Sequence, residues 1–378
     1  MNSEFIEAIN TLATEREIQK DVLIEAIEVA LVSAYRKNYG NMQNVHVNVD
    51  KETGDVNVYM HRDVVAEVQD AAYEISLEEA KEIDPAYEIG DSVEYQVMPK
   101  DFGRIAAQTA KQVVLQRIRD AEKQKIYDEF VGKCGELVAG SVSRLSNQTV
   151  FVDLGQTEAI ILPPEKIPGE VYFVGKKIRA YVVDVKRISK GPQVYLSRSH
   201  PGMVKRLLEL EVPEIADGTI QILALARDAG LRTKVLVESQ DEYVGALGAC
   251  LGHKGVRVKA IMDEIDDEKV DIVEWNTDTE VLIKNALAPA KVDEVVLDWE
   301  NKIALVVVPE SQQTLAIGTG GQNARLAAKI TGWKIDIKNR RVYKAMLQAQ
   351  EEAEAEAEFE GEPEVVVAEV EESPEDWS

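Results

Sequence analysis

Cysteine is scarce: 378 residues contain two, Cys134 and Cys250. They sit in separate apolar patterns with no framework spacing, which predicts reduced, buried thiols as in a cytosolic protein rather than a disulfide scaffold. Aromatic residues make up 6% and histidine occurs four times. His46 and His61 fall in or beside expected strands, and no second ligand stands at metal spacing, so no metal site is expected there. No apolar run reaches the ~18 residues of a membrane span. The start of the chain lacks the basic lead and apolar core of a secretory signal. The expectation is a cytoplasmic protein and a monomer, with no membrane partner, no cofactor and no metal.

Positive charge is also short. Lys and Arg number 43 against 68 Asp and Glu, a net charge of −25. No basic stripe covers a whole domain, so nonspecific grip on duplex DNA is expected to be poor. The distribution is uneven, however. Residues 351–378 carry 13 acidic and no basic side chains, whereas residues 200–348 carry 23 acidic and 19 basic. Local positive loops on a nearly neutral surface suit a weak, selective single-strand binder.

With 45% apolar residues the chain has material for two to four domains. Apolar spacing from Val22 to Ala34 predicts a helix within residues 1–40, with a capping box at Thr14 and Glu17 and a stop at Gly40. Val45–Val49 and Val56–Tyr59 alternate strictly and predict a hairpin with one buried face. Ser76 with Glu79 predicts a second cap, on a helix that ends at Asp84-Pro85. From Arg104 to about Phe130 the pattern predicts a long helix suited to connect domains. Residues 1–130 show no carboxylate cluster or phosphate-binding loop, so no catalytic residue is expected.

Residues 134–200 predict five short strands, near 137–144, 149–154, 158–162, 178–185 and 193–197, and hence a small barrel. In the second of these, Val150 and Val152 oppose Phe151. Phe151 either faces outward, where it can stack on a base, or is the core residue with the valines under a loop. Arg144, Lys186, Arg187 and Arg198 add local charge or are simply solvated.

The informative stretch is Gly252-His253-Lys254-Gly255, between apolar helical patterns. Two glycines leave a backbone that a nucleic acid can approach closely. The helix that follows presents free N–H groups and its positive dipole end, and Lys254 and Arg257 add charge. This is the logic of a GXXG clamp on a short single strand. The arrangement recurs 66 positions later as Gly318-Thr319-Gly320-Gly321. A β-rich run precedes each loop (Thr233–Glu238, Asn301–Pro309) and another follows each second helix (Lys269–Trp275, Gly332–Lys338). A repeated supersecondary unit is a far more specific signal than one motif. Trp275 and Trp333 are expected to pack, and His253 to face solvent.

Six segments carry a resemblance to a known family: Val22–Ile27, Ala34–Gly40, Gly103–Lys111, Leu196–Pro201, Leu210–Ile215 and Gly320–Leu326. Over residues 1 to about 346 the chain resembles the NusA family of bacterial transcription elongation, termination and antitermination factors. The resemblance implies a multidomain α+β protein. Its parts are an N-terminal RNA polymerase-binding domain (1–131), an S1 (OB-fold) β-barrel (132–200), two tandem type II KH domains (201–277 and 278–346) and an acidic disordered tail (347–378). Residues 351–360 could extend a helix. The implied partners are RNA polymerase, single-stranded nascent RNA and other elongation or antitermination factors. The implied RNA contacts are Gly252, His253, Lys254, Gly255 and Arg257, then Gly318, Thr319, Gly320, Gly321, Gln322, Asn323 and Arg325, with Phe151 on the barrel. The chain departs from the family pattern at Thr319, where lysine is usual, and at His253, where proline is usual. Two alternatives use the same modules: an RNA-degrading enzyme, for which residues 1–130 lack a catalytic body, and a ribosome-assembly or translation-associated factor. The tail serves solubility or acts as a nucleic-acid mimic over the positive loops.

Overall fold

A computed structural model describes residues 19–39, 44–71, 73–97, 102–189 and 191–360. The chain divides into two compact units, residues 1–132 with 185–193, and residues 133–184 with 194–378. The expected Thr14–Glu17 cap and the Gly40 stop lie outside the described residues.

In the first unit, helix α1 (Lys20–Tyr39) buries Leu23, Ile24, Ile27 and Leu31, the stripe its spacing dictates. The expected hairpin forms between β1 (Val45–Val49) and β2 (Val56–Val65), in antiparallel register with Val47 opposite Val58. Two strands that the sequence did not disclose complete the sheet: β3 (Glu74–Ser76), parallel to β2, and β4 (Ser92–Gln96), antiparallel to it. Helix α2 (Leu77–Ile83) starts where Ser76 Oγ accepts the Glu79 N–H at 3.2 Å, as expected of its cap, and stops at Asp84. Helix α3 (Phe102–Val131) packs Phe102, Ala106, Ala110 and Val114 with α1 and the β1–β2 valines in one core. The opposite face of the sheet is polar and carries His46, Asn57, His61, Glu94 and Gln96.

Strands β5 (Leu137–Ser146), β6 (Thr149–Asp153), β7 (Glu158–Ile161), β8 (Lys177–Ile188) and β9 (Gly191–Ser197) form a closed barrel in the order β5-β6-β7-β9-β8, which belongs to the second unit except for the β8–β9 tip at residues 185–193. Val150 and Val152 are buried, so Phe151 points outward and the first of its two alternatives is the one observed. The repeat follows. Its first copy comprises α4 (Pro201–Glu211), α5 (Pro213–Ala216), β10 (Ile220–Asp228), β11 (Arg232–Ser239), α6 (Ala246–Leu251), α7 (Val256–Glu264) and β12 (Lys269–Glu274). The second comprises α8 (Thr279–Ala286), β13 (Glu294–Asp298), β14 (Ile303–Val308), α9 (Gln313–Ile317), α10 (Gln322–Thr331) and β15 (Lys334–Asn339). In each, the first two strands are antiparallel and the last runs parallel to the second. The leading helix and first strand of each copy add to the strand–helix–GXXG–helix–strand pattern visible in sequence.

The two copies share a core. Ala226, Leu236 and Val273 of the first pack with Leu282, Ile283, Leu326, Ala327 and Trp333 of the second, and Trp275 packs against the same cluster. Both tryptophans are therefore packing residues, as expected. Ile167 of the barrel in turn joins Leu207, Val235 and Ile261 in the core of the first copy. Burying this much apolar surface across the seams makes barrel and repeats one packed body.

Helix α11 (Arg340–Glu360) runs through residues 351–360, as expected of their Ala/Glu run with its high helix propensity, and takes in residues 347–350 as well. Residues 361–378 lie outside the described residues. Cys250 is buried as expected, and burial pushes its thiol up to about 11. Cys134 is exposed instead, because it sits in the turn between α3 and β5 rather than in an apolar element. Among the described residues, no helix is long and apolar enough to cross a membrane.

Candidate nucleic-acid interface

Each GXXG loop interrupts a helix pair with the same backbone. Gly252 has φ 71° and ψ 178°, and Gly318 has φ 76° and ψ 170°. The third positions match as well, Lys254 at φ 54°, ψ 27° and Gly320 at φ 58°, ψ 26°. So do the fourth, Gly255 at φ 76°, ψ 18° and Gly321 at φ 73°, ψ 14°. Three of four residues per loop thus sit at positive φ, which explains the glycines. Lys254 is the exception and carries a left-handed cost of about 1–2 kcal/mol. A Cβ on Gly252 would meet Arg257 Cγ at 2.8 Å, and one on Gly318 would meet Asn323 Cβ at 2.9 Å. A Cβ on Gly255, Gly320 or Gly321 would meet nothing within 4 Å. The first glycine of each loop is thus a packing requirement and the last faces open space, where a phosphate can approach the N-terminus of α7 or α10.

His253 and Lys254 are exposed, as is Thr319. The other expected contacts are partly committed elsewhere. Arg257 Nη1 donates to Glu214 at 2.9 Å and to the Ala249 carbonyl at 2.6 Å, which ties α7 to α5 and α6. Asn323 is a correction: it is 3% exposed, and its Nδ2 donates inward to the carbonyls of Leu287 and Ala316 at 3.0 and 3.1 Å. It braces the second loop from beneath, because the tight Gly318 turn sets its Cβ against the loop. Asp228, at the end of β10 in the first copy, accepts from Gln322 Nε2 at 3.0 Å and from Arg325 Nη2 at 2.6 Å. The second loop thus has no lysine, and its arginine is matched by a carboxylate. Free positive charge is concentrated on the first loop.

Between the copies lies a cleft of about 720 Å³, lined by Arg232, Lys269, Thr314, Gly318, Thr319 and Gln322 among others. Arg232 pairs there with Asp271 at 2.7 Å. The wall is held by Lys234, whose buried ammonium donates to Asp271 at 2.9 Å and to the Ala288 carbonyl of the second copy at 3.0 Å. Burial pulls the Lys234 pKa below its ordinary value, against the opposing Asp271 carboxylate.

On the barrel, the Arg144 guanidinium lies 3.4 Å from the Phe151 ring centroid and is held there by Glu158 at 2.8 Å. The pair forms a stacked cation–aromatic surface. Arg198 corrects the reading of a solvated charge. It is 2% exposed and donates to Glu170 at 2.7 Å and to the Glu264 carbonyl oxygen at 2.8 Å. It therefore joins β9 to the C-terminus of α7. Burial alone would raise the Glu170 carboxyl, but Arg198, Tyr172 and Lys176 hold it below the usual range. Asp228, Glu214 and Glu170 gave no sequence signal, since isolated acidic residues in loops and at strand ends are common.

These features define a modular RNA-binding class: a small barrel fused to two α-β-β-α-GXXG-α-β units. The NusA N-terminal domain family matches residues 4–124, the NusA-like first KH domain residues 198–275 and the NusA-like second KH domain residues 279–345. The chain is 50% identical over 339 residues to the transcription termination/antitermination protein NusA of Bacillus subtilis, covering 90% of this chain and 91% of that one. It is 41% identical over 366 residues to that of Thermus thermophilus, covering 93% and 95%. It also resembles the solution structure of the N-terminal domain of NusA from B. subtilis, at 55% identity over 32% of this chain and 99% of that one, with TM-score 0.31. The chain belongs to the NusA family.

Proposed function

We propose that this chain is a non-enzymatic transcription factor that docks on RNA polymerase and holds nascent RNA, and so modulates pausing, termination and antitermination. The observation that carries the RNA half is the pair of GXXG loops with matching backbone on one packed body. Two such loops at fixed separation grip one extended strand where a single loop would bind weakly. Lys254 and His253 on the first loop supply the charge. On the second loop Thr319 and Gly320 face the ligand, while the Gly318 and Gly321 N–H groups brace the turn by donating to the Thr314 and Gly318 carbonyls at 2.9 and 3.1 Å. The cleft between the copies receives the intervening nucleotides, and Phe151 with Arg144 on an S1-type barrel stacks a further base.

In this reading residues 1–131 are the polymerase-docking domain, 132–200 the S1 domain, and 201–277 and 278–346 the KH domains. The protein works in the cytoplasm. Docking raises the local RNA concentration, so modest affinity suffices. Support for the docking half comes from family membership across the first unit.

The test is co-elution with core RNA polymerase, comparing the full chain with one that begins at residue 132. Binding by the full chain alone is the expected result. Absence of binding by the full chain, with co-purification on ribosomal subunits instead, would favour the ribosome-assembly reading.

A further inference from the structure

The polar face of the first unit's sheet gathers two of the chain's four histidines beside a carboxylate. His46 stands on β1, His61 on β2 and Glu94 on β4. The register sets His61 directly opposite Glu94, and His46 opposite Tyr59, one diagonal step from His61. All three side chains therefore rise from the same face of three neighbouring strands. His46 Nδ1 lies 2.9 Å from His61 Nε2, and Glu94 Oε1 lies 3.7 Å and 3.9 Å from these two nitrogens. All three donor atoms fall within 4.8 Å of one another. The sequence hides this, because 15 and 33 residues separate ligands that only the sheet topology unites.

We propose that His46, His61 and Glu94 form a binding site for one divalent transition-metal ion, with Zn²⁺ as the best-matched class. Metal–ligand bonds near 2.0–2.2 Å in a tetrahedron separate neighbouring donor atoms by about 3.3–3.5 Å. The observed triangle needs its nitrogens to part and its carboxylate to approach by only a few tenths of an ångström. Two imidazoles and one carboxylate are a borderline donor set that suits zinc over calcium or magnesium, which prefer oxygen alone. Binding requires Nδ1 of His46 and Nε2 of His61 both to act as acceptors, which replaces their mutual hydrogen bond by the ion. The imidazoles of His46 and His61 meet end to end, with centroids 5.1 Å apart and planes 16° apart, and the His46 ring lies 5.1 Å and 19° from that of Tyr59; each imidazole must swing in its plane for both lone pairs to converge on the ion. Side-chain exposures of 49%, 36% and 46% leave the ion accessible. Its fourth position stays open to water or to a side chain of a docked partner.

The test uses the tag-free, chelator-treated full chain. Co²⁺ is followed by its visible absorption, and Zn²⁺ by competition with a chromogenic chelator. One equivalent with a tetrahedral cobalt spectrum is expected. His46→Gln, His61→Gln and Glu94→Gln should each weaken binding at least tenfold, since even outer-shell partners of metal ligands are worth 10–100-fold. Cys134→Ser and His253→Gln should leave it unchanged, and thermal melting of the apo variants should match the parent because all three ligands are on the surface. Absence of a bound equivalent in the parent, equal binding by the His46 and His61 variants, or loss of binding with Cys134→Ser would each overturn the assignment.

Discussion

Lys254 is the residue at which binding and stability pull apart. Its left-handed backbone matches that of Gly320 in the second loop, so glycine fits the position without strain. Lys254→Gly should leave the melting temperature unchanged or higher, because relief of strain offsets the added chain entropy. The same change should weaken single-strand RNA binding severalfold and flatten its salt dependence by about 0.7 in the log–log slope, the value of one phosphate contact. A merely structural lysine would lower stability and leave the slope alone. The reverse change belongs to the second loop. Thr319 is exposed on a loop that carries no lysine of its own, so Thr319→Lys should tighten binding and steepen the slope by a similar amount. Gly252 makes a poor probe. A side chain there meets Arg257 at 2.8 Å, so loss of binding would be confounded with damage to the loop.

At the scale of elements, the interface is held by buried charge rather than by the loops themselves. Arg198 joins β9 to α7 through Glu170 and Glu264, with 3% and 1% side-chain exposure for Arg198 and Glu170. Arg198→Met leaves Glu170 buried without its main partner and should cost about 3–5 kcal/mol in chemical denaturation. The Glu170 carboxyl is held below its ordinary range when folded, so its ionised form is bound more tightly in the native state. That stabilisation is complete above the unfolded value near 4.3 and is lost as pH falls through the lower folded value. The stability gap between parent and Glu170→Gln should therefore narrow as pH drops below about 4.3. A gap that stays constant in acid would show that Glu170 is not ionised in its buried site.

Periodicity disclosed α1, the β1–β2 hairpin, α3, the barrel strands and both GXXG loops, because each buries one regular face or needs glycine at positive φ. It did not disclose β3 and β4, which are short and pair through register rather than pattern. The two loops were readable as a pair, but their wiring was not. Asn323 turned inward and Arg325 matched by Asp228 depend on contacts made 7 to 97 residues away. The histidine–glutamate triad was invisible for the same reason.

For the whole molecule, the packed seams between barrel and repeats predict one cooperative unfolding transition for residues 133–184 with 194–346. Leu236→Ala, at the seam between the two repeats, should destabilise both copies together by about 2–5 kcal/mol. The 13 acidic residues beyond position 350 oppose any polyanion in the same volume. A chain ending at residue 350 should bind RNA more tightly at low salt, with the difference vanishing as salt screens the repulsion. Identical titrations would leave the acidic segment a solubility device.

The central claim is that one RNA strand is held by both loops of one body. Its most direct test is a titration of single-stranded RNA, about ten nucleotides long, against the full chain carrying Gly255→Asp, Gly321→Asp or both. Both positions face open space, and aspartate tolerates the left-handed backbone. Each single change should weaken binding and the double change should reduce it to the level seen with duplex, with every variant still folded at the assay temperature although its melting is lowered by the left-handed strain. Full-strength binding by the folded double variant would contradict it.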